Sequence, residues 1–211
     1  MKRLVLLSLA AMGPQEPASA PATRPAGDLL AFVQRKAEGL AGLEADLTLR
    51  ETVAQLEEPI VSRGSMVLDR QGRLRVEIRE PRRSLLLARG ERIEVYRGEA
   101  EKPEFSGVDP SGASALLPLL GLPDAAAIEK IGQRFELAEE GGGSTRALRL
   151  KPRSPDDPLA RSVRELRFEV GAEDGLPRAF EWIGRTGDST RYEMASVRPL
   201  AKVDASRFER P

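Results

Sequence analysis

The chain has no cysteine and no histidine among its 211 residues. Without cysteine there can be no disulfide and no thiol nucleophile. Without histidine there is no Ser-His-Asp triad, and zinc sites of the usual kind are excluded. Aromatic residues make up only 4% of the sequence. Charge of neither sign dominates, because 33 Lys and Arg balance 33 Asp and Glu. Nothing in that balance directs the chain to nucleic acid or to an anionic surface. The most apolar stretch near the start, Leu4 to Met12, is far shorter than the roughly 20 residues that span a bilayer. Two local patterns fall away as well. The GGGS at 141–144 lacks the Lys of a phosphate-binding loop. Glu77 and Glu80 sit among arginines on the wet side of a strand, where they read as solvated charges.

What is present begins with an address. Met1-Lys2-Arg3 is a short basic region ahead of that apolar run, and GPQEPASAPATRPAG follows it. This is the pattern of a signal peptide over residues 1–22, with a cut after Ala22 satisfying the small-x-small rule. Ala18-Ser19-Ala20 also fits, but Pro21 would follow that cut. Residues 23–27 are then a disordered linker and 28–211 one domain, long enough to bury a real core. Export without cysteine points to a periplasm-like compartment, and it excludes a lipid anchor at the new N-terminus.

Asp28 can cap a helix running to about Gly42, with Leu29, Val33, Ala37 and Leu40 on one apolar stripe. Most of the rest alternates with a period of two. Ala45, Leu47 and Leu49 alternate with Glu44, Asp46 and Thr48 up to a turn at Glu57-Glu58-Pro59. Gly64 starts a strand through Met66 and Leu68. GRLRVEIREP, residues 72–81, carries Leu74, Val76 and Ile78 between Arg73, Arg75, Glu77 and Arg79. Strands through Leu85 and Leu87 and through Ile93 and Val95 flank a turn at Arg89-Gly90. These are antiparallel hairpins in a meander. From Asp109 to Ile131 the rhythm changes to short helical pieces broken by Pro118, Gly121 and Pro123, with leucines at 116, 117, 119, 120 and 122. Strands resume at Phe135 and Leu137, at Leu148 and Leu150, and at Leu166, Phe168 and Val170. An Asp174-Gly175 turn leads to Phe180 and Trp182, and a last pair carries Tyr192 and Met194, then Phe208.

About ten strands thus each present one apolar face, with one good helix and one broken Leu-rich segment to cover them. Such a sheet folds into two packed layers, curls around its own side chains, or curls with helices in its mouth and keeps a lined hollow. Alternation alone leaves all three open.

The ordered succession of these segments resembles the LolA family of periplasmic lipoprotein carriers. The likeness runs through LEADLTLRETV (43–53), GSMVLDR (64–70), RLRVEIREP (73–81) and LLLARGERIEVY (85–96). It resumes in RELRFEVGAEDGLPRAFEW (164–182) and VDASRFERP (203–211). The family commonly has Pro where this chain has Gln71, and Asp-Gly where it has Arg89-Gly90. The resemblance implies an incomplete antiparallel β-barrel with helices as a lid and a cavity for acyl chains. The wall it implies uses Leu47 and Leu49, then Met66 and Leu68, then Leu74, Val76 and Ile78. Leu87, Ile93 and Val95 continue it, Phe168, Phe180 and Trp182 close it, and Leu116 and Leu120 line it from the Leu-rich segment. Arg70 is implied as the latch that bonds lid-helix carbonyls, although the residues alone do not distinguish it from Arg73 or Arg75. The implied activity is non-catalytic carriage without a cofactor. The implied partners are lipoprotein acyl chains, an inner-membrane exporter as donor and an outer-membrane acceptor, with the carrier a monomer. Two other readings stand beside it: a lipid-sensing regulatory domain that acts through a protein partner, and a structural β-domain with a filled core.

Overall fold

The computed structural model describes residues 26–90, 92–108, 119–120 and 122–210. The signal peptide at 1–22, most of the linker, and Leu116 and Leu117 lie outside these residues. One helix, α1 (Ala26–Ala37), leads into five strands: β1 (Gly42–Thr52), β2 (Ile60–Asp69), β3 (Arg73–Glu80), β4 (Ser84–Arg89) and β5 (Arg92–Arg97). After β6 (Phe105–Val108) and α2 (Ala125–Arg134) come β7 (Phe135–Gly142), β8 (Thr145–Pro152) and β9 (Val163–Gly171). β10 (Pro177–Gly184) and β11 (Ser189–Leu200) complete the strands.

The eleven strands among the described residues form one sheet in the order β6-β5-β4-β3-β2-β1-β11-β10-β9-β8-β7. Every neighbouring pair is antiparallel, and β6 and β7 remain as two unjoined edges. The sheet is therefore an unclosed barrel. It is a meander apart from the β1–β11 seam, where the chain's first and last strands meet.

α1 begins at Ala26, so Asp28 lies in its first turn, where a carboxylate complements the helix dipole, rather than at its cap. The helix ends at Ala37, short of Gly42, because Gly39 takes a left-handed φ of +80° and Ala41 already pairs with Leu200. Leu29, Leu30 and Val33 are buried on the face that meets Leu148, Leu166 and Phe168. Arg146, held by Glu139 at 2.9 Å, places its guanidinium 5.1 Å from the Phe32 ring and clamps the same helix from the side. α1 thus fills the concave side of β7–β10. A second core cluster, built from Ala37, Leu43, Leu68, Leu122 and their neighbours, closes the base of the other half.

Several local expectations shift. Gly64 is in the middle of β2, not at its start. Phe208 is in a 3-10 turn, Ala205–Phe208, capped by Asp204, not in a strand. There it is buried beneath the Arg73 guanidinium, 4.8 Å from the ring. β6 has no alternation that could have announced it: its four residues are Phe-Ser-Gly-Val.

The C-terminal end of α2 is tied to the β8–β9 connection by Arg134 and Asp157, whose second contact is 2.7 Å. The Arg134 guanidinium holds the Asp157 carboxyl below its ordinary range despite the opposing effect of burial. A depressed carboxyl pKa stabilises the fold above the unfolded value and loses that contribution as pH falls through the folded one. Asp157→Asn keeps the capping acceptor for Leu159 but removes the charge. We expect it to lower stability by about 1–2 kcal/mol at neutral pH. The gap between the two proteins, measured by urea denaturation, should shrink as pH falls below the ordinary Asp range.

Candidate functional site

The site follows from strand register. Across β2, β3, β4 and β5, Met66, Val76, Leu86 and Val95 lie opposite one another in one rung. Leu68, Leu74, Ala88 and Ile93 form the next. On the far side of the β1–β11 seam, Leu49, Tyr192 and Phe180 make another, with Leu47 opposite Met194 below it. Because side chains alternate along a strand, all of these project from the same concave face. α1 covers only the half of that face over β7–β10. The other half is left with a hollow of about 500 Å³.

Of the residues implied for a cavity, Leu47, Leu49, Met66, Leu74, Val76 and Ile78 line this hollow. So do Ile93, Val95, Leu120, Phe180 and Trp182. Leu120 packs against both core clusters and stands at the boundary between the filled half and the hollow one. Leu68 and Phe168 are on the concave face but sealed in packed core, 1% and 2% exposed. Leu87 points the other way. It is opposite Arg75 and Glu94 on the outer face, and Leu86 takes the place in the wall. Leu116 lies outside the described residues. Sequence reasoning missed Ser84, Leu86, Ala88, Thr190, Tyr192 and Met194 as lining residues. For Tyr192 and Met194 the signal was present, since they alternate on a strand whose neighbours were already placed in the wall.

The hollow is not uniform along its length. On the β2–β5 wall, going from the lower end beside the β2–β3 turn to the upper end, the lining runs from Leu74, Ala88 and Ile93 through Met66, Val76, Leu86 and Val95 to Ile78 and Ser84. On the opposite wall it runs from Leu47 and Met194 through Leu49, Tyr192 and Phe180 to Thr190 and Trp182. Along both walls hydrocarbon and thioether thus give way to hydroxyl, phenol and indole groups toward the upper end. Burial pushes the Tyr192 phenol up, and the Glu51 carboxylate adds to the effect, so the group stays a neutral donor. None of the described lining residues is charged. Exposure rises in the same direction along β1, β2 and β11: Leu47 and Met194 are buried, Leu49, Tyr192 and Thr190 are half-buried, and Ile60, beyond the upper end, is 43% exposed. The hollow opens at this polar end.

At the closed end stands Arg70. Its Nε donates to the Leu40 carbonyl at 2.9 Å, a second guanidinium nitrogen donates to the Ala37 carbonyl, and its backbone N–H donates to Ala41 at 2.9 Å. These carbonyls lie at and just beyond the end of α1, where helix acceptors lack an intrahelical partner; that of Ala37 also accepts from the Leu40 N–H at 3.1 Å. A planar fork with several donors suits such a cluster. The other two arginines are engaged elsewhere. Arg73 neutralises buried Asp69 at 2.5 Å, and Arg75 bonds Glu209 and Glu77 on the outer face. Of the three, only Arg70 reaches α1. Among the described residues no cluster of three or more acidic, His or Cys side chains could hold a metal, and no helix is long and apolar enough to cross a membrane.

Residues 38–211 match the family model described as outer membrane lipoprotein carrier protein LolA. An outer-membrane lipoprotein carrier protein of Azotobacter vinelandii is 26% identical over 177 residues, 82% of this chain and 78% of that one. Its counterpart from Legionella pneumophila is 26% identical over 185 residues, 84% of this chain and 86% of its own. The crystal structure of a LolA superfamily protein from Nitrosomonas europaea superposes with a TM-score of 0.46 at 12% identity, covering 85% of this chain and 97% of that one.

Proposed function

Starting from the fact that this chain belongs to the LolA family, we propose that it is a periplasmic carrier that binds the acyl chains of lipoproteins in the hollow and moves them from the inner to the outer membrane. The observation that carries this reading is the hollow itself: apolar, uncharged, open at one end, and beside a helix whose C-terminal end Arg70 ties down. Interiors are normally filled, and an open apolar hollow of this size offers room for an apolar occupant. Each methylene moved out of water contributes about 0.8 kcal/mol, so one long chain alone gives useful affinity. Residues 1–22 would direct export and be removed.

The chain carries no nucleotide-binding loop, so exchange at this protein is passive. An inner-membrane exporter would load it, and an outer-membrane acceptor of higher affinity would unload it. Arg70 sets the balance between these steps. Its bonds to α1 exist in the closed form and compete with any cargo that displaces the helix. Removing them therefore favours the loaded, open form.

The test uses a fluorescent triacylated lipopeptide and the purified mature protein. Saturable binding and transfer to an outer-membrane acceptor are expected; no saturable binding would sink the reading. Arg70→Leu should hold the same lipopeptide about tenfold more tightly, the effect of roughly 1.4 kcal/mol of lost latch, and hand it over correspondingly more slowly. Unchanged affinity and transfer would remove Arg70 from the release step.

A further inference from the structure

The volume and polarity of the hollow say more than that it takes acyl chains. We infer that in this closed form it accepts one acyl chain, methyl end first, with the chain's carbonyl end at Ser84, Thr190 and Trp182. This rests on the carrier reading above and specifies the ligand of the same site.

Capacity comes first. A dry apolar cavity of about 150 Å³ holds a benzene molecule, or about 25 Å³ per carbon. At that packing the hollow's 500 Å³ holds roughly twenty carbons. That is one long chain. The three chains of a triacylated lipoprotein need more than twice the space, and the rest of the concave face is filled by α1, with Leu148, Leu166 and Phe168 buried beneath it.

Direction follows from the layering. The lower end is sealed and has only hydrocarbon and sulfur to offer, so an ester or amide placed there would lose its hydrogen bonds to water without replacement. The upper end supplies the unused donors and acceptors of Ser84, Thr190, Tyr192 and Trp182, whose side chains bond to no other described residue. It is also the open end, so whatever headgroup or peptide the chain carries remains outside. A lysophospholipid and a monoacylated lipopeptide share this chemistry at the chain's root.

The experiment compares lipopeptides of identical peptide sequence bearing one or three acyl chains, a lysophospholipid with the same chain, and stearic acid brominated near either end. Native mass spectrometry should give one single-chain ligand per protein. The monoacylated lipopeptide should bind within about threefold of the triacylated one. A tenfold or greater gain from the extra chains, or two single-chain ligands per protein, would overturn the one-chain capacity. Lysophospholipid binding as tightly as monoacylated lipopeptide would assign recognition to the chain alone; tighter lipopeptide binding would add the peptide at the rim. Trp182 is the chain's single tryptophan and belongs to the upper layer, so its fluorescence reports direction. Bromine near the carboxyl end should quench it at least twice as strongly as bromine near the methyl end, and the reverse order would overturn the orientation. If no acylated ligand binds at all, the carrier reading itself fails, which is a different result from binding with the wrong number or direction.

Discussion

Gly64→Ala should lower the stability of the whole protein by about 3 kcal/mol or more, placing one methyl group among the costliest changes a single substitution makes. A Cβ built at Gly64 would lie 1.9 Å from the Glu77 carbonyl oxygen, 2.8 Å from its carbon and 2.9 Å from the Ile78 Cα. All three are backbone atoms of the neighbouring strand, so no rotamer change relieves the clash. The position explains the closeness. Gly64 lies opposite Leu47 on β1 and Ile78 on β3, and the β2–β3 register shifts between Arg63 and Gly64. Glycine at such a point lets a sheet bend sharply, as at a barrel corner. The β3–β5 wall faces β10 and β11 across the hollow, so the close β2–β3 approach at Gly64 bears on both fold and site. Thermal unfolding followed by circular dichroism should show a melting temperature lower by roughly 6–12 °C, at about 2–4 °C per kcal/mol for a chain of this size. Gly132 is the counter-case. It lies in α2 with nothing within 4 Å of a built Cβ, so Gly132→Ala should leave stability unchanged or raise it by about 0.5–1 kcal/mol. If both variants melted alike, the close approach of β2 and β3 would not be what shapes the sheet.

None of this could be read at Gly64 from sequence, where it looked only like the start of a strand. What sequence carries well is the identity of a face. The alternations in β1 and β3 are clean because one side of each strand is charged, and the structure puts Leu47, Leu49, Leu74, Val76 and Ile78 on one side accordingly. Phase was lost where that contrast was missing. Leu85-Leu86-Leu87 has no polar member to set it, and Leu87 falls on the outer face. The hairpin register would have recovered it: with Arg89 opposite Arg92 across the turn, Ala88 must face Ile93 and Leu86 must face Val95. Depth is a different matter. Leu68 and Phe168 share the correct face, but alternation cannot say which part of a face a helix will cover. That depends on α1 packing against strands more than a hundred residues away. Arg70 shows the same limit. Its partners are the carbonyls of Ala37 and Leu40, a contact that charge and spacing along the chain do not encode. Only the family resemblance singled it out.

The largest functional effect is expected from Val76→Glu, which should weaken binding of single-chain and triacylated ligands alike by at least a hundredfold. Val76 sits in the middle of the wall, between Met66 and Leu86 on neighbouring strands, and remains partly accessible from the hollow. A carboxylate there can stay hydrated while the hollow is empty, so the fold tolerates it. Once an acyl chain enters, that water must leave. Stranding an ionised group against hydrocarbon costs several kcal/mol unless it takes up a proton. A cost of roughly 3 kcal/mol already accounts for the hundredfold loss. The same reasoning gives a direction with pH. Protonation removes the charge, so binding by the variant should recover partly as pH is lowered toward the raised pKa of the new carboxyl. Glu77→Gln, one residue along, is the matched control. Its side chain is on the outer face, 3.0 Å from Arg75, and its loss should leave binding within about twofold. Titration of both variants with the fluorescent lipopeptide, beside their melting curves, separates a blocked hollow from a damaged fold. Full binding by folded Val76→Glu would mean that the acyl chain lies elsewhere on the protein.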